Sequence, residues 1–155
     1  MVDAAVEAFG GLHVAFNNAG IYKASKFADM TEDVMSQMVD VNFKSLVFCF
    51  KYQIPAMAKC GDKGSIIVNS SVVGSRVCSR ALGGGVYAAT KAGADMLMKY
   101  AAVEISPSDV RVNSVAPGPV DTPMQAGVPR ETLLQGVEAV QLMTRITQPR
   151  RSLKW

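Results

Sequence analysis

Tyr87 and Lys91 stand four residues apart, and Ser71 precedes them at the end of an apolar, β-branched run. On a helix, residues four apart lie on one face, with Cβ atoms about 5–6 Å from each other. This spacing places a phenol beside an ammonium group, and a nearby serine hydroxyl could hold a substrate oxygen while a proton moves. These residue types predict metal-free proton transfer at a carbinol oxygen, the chemistry of alcohol oxidation and carbonyl reduction.

The lysine matters because an unassisted phenol is a poor base at neutral pH. A tyrosine hydroxyl ordinarily ionises near pH ~10. A fixed positive charge about 4 Å away, at an effective dielectric of about 20, favours the phenolate by about 4 kcal/mol. At about 1.4 kcal/mol per pK unit, we expect Lys91 to bring the pKa of Tyr87 close to the working pH.

A Tyr-x-x-x-Lys pair alone is a weak signal, because many surface helices carry one. Here it is accompanied by other motifs in a fixed order, and the set extends from about residue 3 to about residue 143. They are Asn17-Asn18-Ala19-Gly20 after the apolar stretch Leu12–Phe16, Asp40-Val41-Asn42, Ser70-Ser71-Val72-Val73-Gly74, Arg111-Val112-Asn113, and Pro117-Gly118-Pro119-Val120-Asp121-Thr122.

With these motifs the chain resembles the short-chain dehydrogenase/reductase family. The tyrosine of that family is its catalytic acid/base, so the resemblance assigns this role to Tyr87. It implies that Lys91 lowers the pKa of the phenol and hydrogen-bonds the nicotinamide ribose. It implies that Ser71 orients the substrate oxygen, with Ser70 as the alternative, and that Asn42 supports a water-linked proton relay to the lysine.

The resemblance also implies a cofactor, NAD or NADP, and a small alcohol or carbonyl substrate. Tyr87 and Lys91 would contact the cofactor as well as the substrate. The stretch near the adenosine half of the cofactor matches Asn18, Ala19 and Gly20. The loop that contacts the nicotinamide and its carboxamide matches Pro117, Gly118, Val120 and Thr122. Without the resemblance, Asn17 and Asn18 could simply form a turn, and Pro117-Gly118 could form a plain loop.

The spacing of the serine differs from the family pattern. Ser71 and Tyr87 are 16 positions apart, a few more than is usual. The additional residues lie in Arg76–Gly85, which ends in three glycines, and glycine accepts positive φ at little cost. We expect a substrate-side loop there and further pocket residues in Gln125–Thr144, and neither segment indicates which alcohol binds.

No Gly-x-x-x-Gly-x-Gly turn occurs in the chain. The family holds the cofactor pyrophosphate on such a turn, at a helix N-terminus. The acidic residue with which the family distinguishes NAD from NADP is missing together with this turn, so the choice between the two cofactors stays open. Losing two charge-assisted bonds to phosphate would cost about 3–6 kcal/mol, or about 100- to 10,000-fold in affinity. We therefore expect little or no turnover from the chain alone.

Two hypotheses about function follow from these observations. In the first, the protein is an NAD(P)-dependent oxidoreductase that interconverts a secondary alcohol and a ketone or aldehyde. In the second, it is a catalytically inactive fragment of the family, such as a truncated isoform, that can only associate with other subunits.

Predicted strands alternate with predicted helices. The strands are Leu12–Phe16, Ser65–Asn69 and Val110–Val115, and the helices are Thr31–Asp40, Phe43–Lys59, Val86–Ile105 and, more weakly, Glu131–Thr144. Such alternation indicates βαβ units and a parallel sheet, whose ligands bind beyond the carboxyl ends of the strands. We predict an α/β fold, a partial Rossmann-like (doubly wound) parallel sheet in three α/β/α layers. We expect it to lack the family's N-terminal βαβ unit and last strand.

The predicted helix Phe43–Lys59 is apolar almost all round. A helix without a polar face is normally buried on more than one side. We therefore expect a homo-oligomer formed through Phe43–Lys59 and Val86–Ile105, as the resemblance also implies. The alternative is that the sheet alone covers this apolar surface.

Composition and charge indicate a globular protein. The chain has 155 residues, of which 49% are hydrophobic and 19% charged, so we expect one domain at residues 1–143. The net charge is only +3, and several basic residues fall in the divergent segment 144–155. We interpret that segment as a solvated basic tail and expect no nucleic-acid partner.

The remaining sequence features exclude several classes. No apolar run reaches the ~18 residues needed to cross a membrane, and Met1–Gly10 is not a secretory signal. The cysteines, Cys49, Cys60 and Cys78, form no Cys-x-x-Cys pair, which indicates reduced thiols in a cytoplasmic protein. With one histidine, His13, no metal site is expected.

Overall fold

A computed structural model of the chain describes residues 1–61, 63–77, 83–138, 141–142 and 145–149. The helices are α1 (Val2–Phe9), α2 (Glu32–Val39), α3 (Ser45–Lys59), α4 (Gly85–Glu104) and α5 (Arg130–Glu138). The strands are β1 (Val14–Asn17), β2 (Lys63–Asn69) and β3 (Asp109–Val115). They form one parallel sheet in the order β1-β2-β3. This confirms the predicted fold class, a partial Rossmann-like α/β sheet.

The core lies between the sheet and the helices α3 and α4. Ile66 in the central strand pairs with Ala15 on one side and with Val112 on the other, and all three side chains are buried. Alternate residues of a strand point to the same face, so these residues place one face of the sheet against the helices. Other core residues are Leu46, Phe50, Met57, Val68, Ala94, Ala101, Ile105 and Val110.

The opposite face of the sheet is largely open in the part of the chain that the structure describes. Val14 and Phe16 in β1 are 65% and 57% exposed, and Val115 in β3 is also exposed. Of the three predicted layers, the described residues thus form the sheet and the one helical layer that contains α3 and α4. Both long helices share one hydrophobic core with the sheet.

Most predicted elements agree with the structure within a few residues. The prediction of α4 is confirmed to within one residue at each end, and Thr31 caps α2 by accepting a hydrogen bond from the Val34 amide at 3.3 Å. The strand β1 begins two residues later than predicted, because the carbonyl of His13 is the first to accept from β2. The helix α5 ends at Glu138, and the predicted end at Thr144 lies outside the described residues.

The prediction of two separate helices before β2 was wrong. The structure has one helical run in which a π turn, Asp40–Lys44, joins α2 to α3. Both ends of this turn keep helical dihedral angles, with φ and ψ of −63° and −47° at Asp40. Asn42, which the prediction left between two helices, lies inside the π turn and is buried. Such turns are rare and often occur at functional sites.

Part of the predicted basic tail packs against the loop that follows β3. Thr147 donates its backbone amide to Pro119 at 3.1 Å and accepts from the Asp121 amide at 2.9 Å, and Ile146 is buried. Residues 150–155 lie outside the described part of the chain, so the domain boundary at 143 stays a prediction.

Among the residues that the structure describes, no helix is both long and apolar enough to cross a membrane. The His, Cys, Asp and Glu side chains of these residues do not gather in groups of three that could hold a metal ion. Cys49 and Cys60 are free thiols, and Cys78 lies outside the described residues.

Candidate active site

The three strands end at the same edge of the sheet, and the segments that follow them enclose one cleft. This is the position at which open parallel sheets bind ligands. The cleft has a volume of about 1280 Å³. The predicted site residues that line it are Asn18, Gly20, Ser71, Tyr87, Lys91, Pro117, Gly118, Val120 and Thr122. Ala19 and Asn42 instead line a neighbouring cavity of about 270 Å³, which Asn18 and Lys91 also line.

Tyr87 and Lys91 lie on the first two turns of α4 and face the same side, as their spacing predicted. The ammonium nitrogen of Lys91 is 5.6 Å from the centroid of the Tyr87 ring. It also donates a 2.7 Å hydrogen bond to the backbone carbonyl of Asn69, at the end of β2. Lys91 is only 4% exposed, so its charge is held inside the protein at the edge of the cleft.

Ser71 is the serine that reaches the phenol. It caps a short 3₁₀ turn, Val72–Gly74, by accepting from the Val73 amide at 3.4 Å, and its hydrogen bond to Tyr87 favours the phenolate. Ser70, the alternative, is buried and donates its hydroxyl to the backbone carbonyl of Lys91 at 3.4 Å. The structure therefore brings Ser71, and not Ser70, to the hydroxyl of Tyr87.

Burial raises the pKa of Tyr87 above its usual value of 10.0. The Ser71 hydrogen bond lowers this pKa, and the nearby phenol of Tyr22 raises it, but desolvation has the largest effect. The direction is opposite to the one expected from the Tyr–Lys spacing. That argument considered the charge of Lys91 and left out the burial of the phenol, which disfavours its charged form.

Burial also lowers the pKa of Lys91 below its usual value of 10.5, and the carboxylate of Asp95 opposes this effect. Asp95 lies one helical turn beyond Lys91, so Tyr87, Lys91 and Asp95 follow one face of α4. One carboxylate oxygen of Asp95 is buried and has no hydrogen-bond partner among the described residues. The negative charge of Asp95 therefore helps to keep Lys91 protonated inside the protein.

Asn42 connects three parts of the site through its side-chain amide. Its oxygen accepts from the amide of Ile21 at 2.8 Å, and its nitrogen donates to the carbonyl of Ile21 at 2.9 Å. The same nitrogen donates to the hydroxyl of Thr90 at 3.2 Å, and Thr90 in turn donates to the carbonyl of Tyr87 at 2.7 Å. Asn42 thus joins the π turn to the loop after β1 and to α4.

The segment Asn18–Gly20 packs closely against Asn42 and against Lys91 on α4. A Cβ atom at position 20 would lie 3.4 Å from the ammonium of Lys91 and 3.5 Å from the amide oxygen of Asn42. Asn18 accepts a 2.6 Å hydrogen bond from the side-chain nitrogen of Asn69, whose own amide oxygen is buried without a partner among the described residues. An unpaired buried acceptor next to a cleft is a position where a ligand could donate a hydrogen bond.

The loop after β3 forms the other wall of the cleft. The carbonyl of Pro117 accepts from the amide of Val72 at 3.1 Å, which fixes this loop to the turn that carries Ser71. Val120 forms a parallel bridge with Thr147, and Thr122 precedes a short 3₁₀ turn. The cofactor-binding residues predicted for this loop therefore face the same cleft as Tyr87.

Sequence reasoning missed four residues that the structure brings to the site. The Asn69 backbone carbonyl accepts from Lys91, and the Thr90 hydroxyl donates to the backbone carbonyl of Tyr87. Contacts that involve backbone carbonyls leave no pattern in the sequence. Tyr22 contacts the ring of Tyr87, but its position two residues after Gly20 carries no recognisable signal. Asp95 could have been found, because it repeats the four-residue spacing that identified Lys91.

The chain is also similar to known proteins. A family profile described as "Enoyl-(Acyl carrier protein) reductase" matches residues 1–152. The chain is 40% identical over 134 residues to the 2,5-dichloro-2,5-cyclohexadiene-1,4-diol dehydrogenase LinX of Sphingobium indicum, a match that covers 86% of this chain and 52% of that protein. It is also 40% identical over 130 residues to the 3-alpha-(or 20-beta)-hydroxysteroid dehydrogenase of Mycobacterium tuberculosis, covering 84% and 48%.

Solved structures show the same fold. The crystal structure of gox2181 superposes with a TM-score of 0.90 at 27% identity, over 97% of this chain and 59% of that one. The chain thus spans about half the length of the curated relatives it matches.

Proposed function

This chain belongs to the short-chain dehydrogenase/reductase family, and from that premise we propose that it interconverts a ring-shaped secondary alcohol and the corresponding ketone with NAD or NADP. The observation that carries the proposal is the convergence of Ser71, Tyr87 and Lys91 on one cleft at the carboxyl ends of the strands. The family is one of oxidoreductases, and the proposed catalytic roles belong to these three residues.

Tyr87 is the proposed acid/base. Ser71 binds the substrate oxygen and orients it toward the phenol. In the direction of oxidation the alcohol proton passes to the phenolate oxygen of Tyr87, and in the direction of reduction the Tyr87 hydroxyl returns it. The ammonium of Lys91 favours the phenolate and so offsets part of the cost of burying this charge.

The residues present fit the nicotinamide half of a dinucleotide. When bound, that cofactor would supply the hydride acceptor or donor. Lys91 and the unpaired amide oxygen of Asn69 offer a hydrogen-bond donor and an acceptor beside the cleft. Thr122 and Gly118 form the opposite wall, and Asn18 lies next to Asn69.

The proposed substrate class rests on relatives and on the lining of the cleft. The relatives described above are named for a cyclohexadienediol and for hydroxysteroids, which are alcohols built on carbon rings. The apolar side chains of the cleft wall include Val73, Met124, Val128 and Leu133. Among the described residues that line the cleft, none is Asp or Glu. A neutral or anionic ring alcohol matches such a wall better than a cationic one.

A cofactor titration tests this proposal. We expect NADH or NADPH at up to millimolar concentration to bind the purified chain, with heat in calorimetry and enhanced nicotinamide fluorescence. Lys91→Met should weaken this binding by about tenfold or more, because it removes a charge-assisted hydrogen bond of about 1.5–3 kcal/mol. The matched control is Lys51→Met on α3, beside Tyr52 and outside the cleft. If neither cofactor binds, the catalytically inactive alternative is the correct one.

We also propose that the chain self-associates through α3 and α4. Each helix carries a stripe of exposed apolar side chains away from the sheet. The stripe on α3 contains Val47, Phe48 and Tyr52, and the one on α4 contains Met96, Tyr100 and Val103. Adjacent exposed apolar stripes of this kind mark interaction surfaces, and a second copy would offer the same stripes in return.

Sedimentation tests this assembly. We expect the chain to sediment as a dimer or larger species at micromolar concentration, and Phe48→Glu to shift it toward monomer by placing a charge inside the interface. Phe9→Glu, the same change at an exposed position of α1, is the control and should leave the distribution unchanged. A compact monomer at high concentration would contradict the proposal.

A further inference from the structure

We propose that Tyr22 is a positioning residue that holds the ring of Tyr87 in the orientation needed for proton transfer. The inference rests on the proposed function, because it concerns the proposed acid/base. Tyr22 follows the Asn-Ala-Gly segment and lines the cleft, and none of the motifs in the sequence includes it.

The two tyrosine rings make a direct edge-to-face contact. Their centroids are 5.2 Å apart and their planes meet at 79°. Aromatic pairs prefer this geometry, because the positive edge of one ring faces the negative face of the other. The Tyr87 ring also contacts the ammonium of Lys91 at 5.6 Å. Rotation of the Tyr87 side chain would break both contacts, so together they restrict the position of its hydroxyl.

Tyr22 can act in this way because its own backbone is held on both sides. The amide and the carbonyl of Ile21 are both bonded to the side chain of Asn42. On the other side, the amide of Ser25 donates to the carbonyl of Gly83 at 3.0 Å. Gly83 has a φ of +52°, and a Cβ there would lie 2.6 Å from the backbone carbon of Ser25. Only glycine allows this close approach, so the loop is fixed next to the start of α4.

The ring of Tyr22 lies over the beginning of α4. Its nearest ring atom would be 3.6 Å from a Cβ at position 84, three residues before Tyr87. Tyr22 is itself partly buried, which raises its own pKa, and the proximity of its phenol contributes to the raised pKa of Tyr87. Removing the ring would therefore both free the Tyr87 side chain and admit water to it.

Tyrosine titration by NMR tests the proposal in the chain without cofactor. The protein would carry ¹³C at the ring Cζ of tyrosine, and the Tyr87 signal would be assigned with Tyr87→Phe. We expect Tyr22→Leu to shift the Tyr87 signal at neutral pH and to lower its pKa toward the usual value of 10.0. Tyr22→Phe keeps the ring contact and should keep the signal near its original position, and it should lower the pKa of Tyr87 less than Tyr22→Leu does, because only the phenol effect is lost. Phe9→Leu, at an exposed position on α1, is the control and should change neither quantity.

Two outcomes would overturn the proposal. In the first, Tyr22→Leu leaves the signal and titration of Tyr87 unchanged. In the second, Tyr22→Phe changes them as much as Tyr22→Leu does, which would exclude the ring contact as the cause. If Tyr22→Leu fails to fold, Tyr22→Met replaces the ring with a flexible side chain, and the same two outcomes decide the result. Cofactor binding is measured separately, so a failure of the proposed function would leave this result standing, and the reverse also holds.

Discussion

Replacing Tyr87 with phenylalanine is expected to lower the rate of ring-alcohol oxidation by about 10²–10⁴-fold, the usual contribution of a positioned acid/base. Phenylalanine keeps the ring contacts with Tyr22 and Lys91 but removes the oxygen that exchanges the proton. The measurement is a single-turnover assay with excess chain, millimolar NAD or NADP and cyclohexanol, followed by nicotinamide absorbance at 340 nm. High concentrations are needed because the sequence predicts weak cofactor binding.

Controls separate lost chemistry from lost structure. Tyr52→Phe removes a hydroxyl at an exposed position of α3 and should keep the rate of the unmodified chain. Tyr87→Phe should also keep a cooperative thermal unfolding transition, because the ring that packs against Tyr22 and Lys91 is retained. An unchanged oxidation rate in Tyr87→Phe would exclude Tyr87 as the acid/base.

Replacing Asn42 with alanine is expected to lower the free energy of unfolding by about 2–4 kcal/mol. Each of its three side-chain hydrogen bonds contributes about 1 kcal/mol, and the buried partners that remain unpaired add to the loss. The change should also loosen the loop that begins at Ile21. Urea unfolding, followed by far-UV circular dichroism, measures the stability, and the linear dependence on denaturant gives the free energy.

Asn42→Asp is the informative companion of this variant. Aspartate can still accept from the Ile21 amide, but it cannot donate to the Ile21 carbonyl. A carboxylate oxygen would replace the amide nitrogen that now lies 2.9 Å from this carbonyl, and the two oxygens would repel each other. We expect it to destabilise the fold at neutral pH and to recover part of the loss as the carboxyl protonates at lower pH. A stability within about 0.5 kcal/mol of the unmodified chain, as for ordinary surface substitutions, would contradict the assigned role of Asn42.

The strands and long helices could be predicted because their side chains repeat with the period of the element. The central strand is a continuous β-branched run, and α4 carries Tyr87 and Lys91 at a spacing that only a helix brings together. The location of the cleft followed from the parallel sheet, since polar residues after each predicted strand had to meet at one edge. Local pattern and topology therefore sufficed for the position of the cleft.

The energetics of the site could not be predicted from spacing. The spacing of Tyr87 and Lys91 led us to expect a lowered pKa for Tyr87, whereas burial raises it. That burial depends on Tyr22 and on packing that no motif encodes. The choice between Ser70 and Ser71 was equally inaccessible, because both follow the same strand and differ only in the direction of their side chains. The π turn was missed because polar Asn42 interrupts the apolar pattern and resembles a helix end.

The π turn at Asp40–Lys44 has a consequence for which changes this segment can tolerate. Each residue of an α-helix advances the chain by about 100° around its axis. Deleting one residue here would replace the wide π turn with a regular α-helical turn, and Asn42 would lose the position from which it bonds Ile21 and Thr90. The number of residues in this segment therefore matters as well as the identity of Asn42.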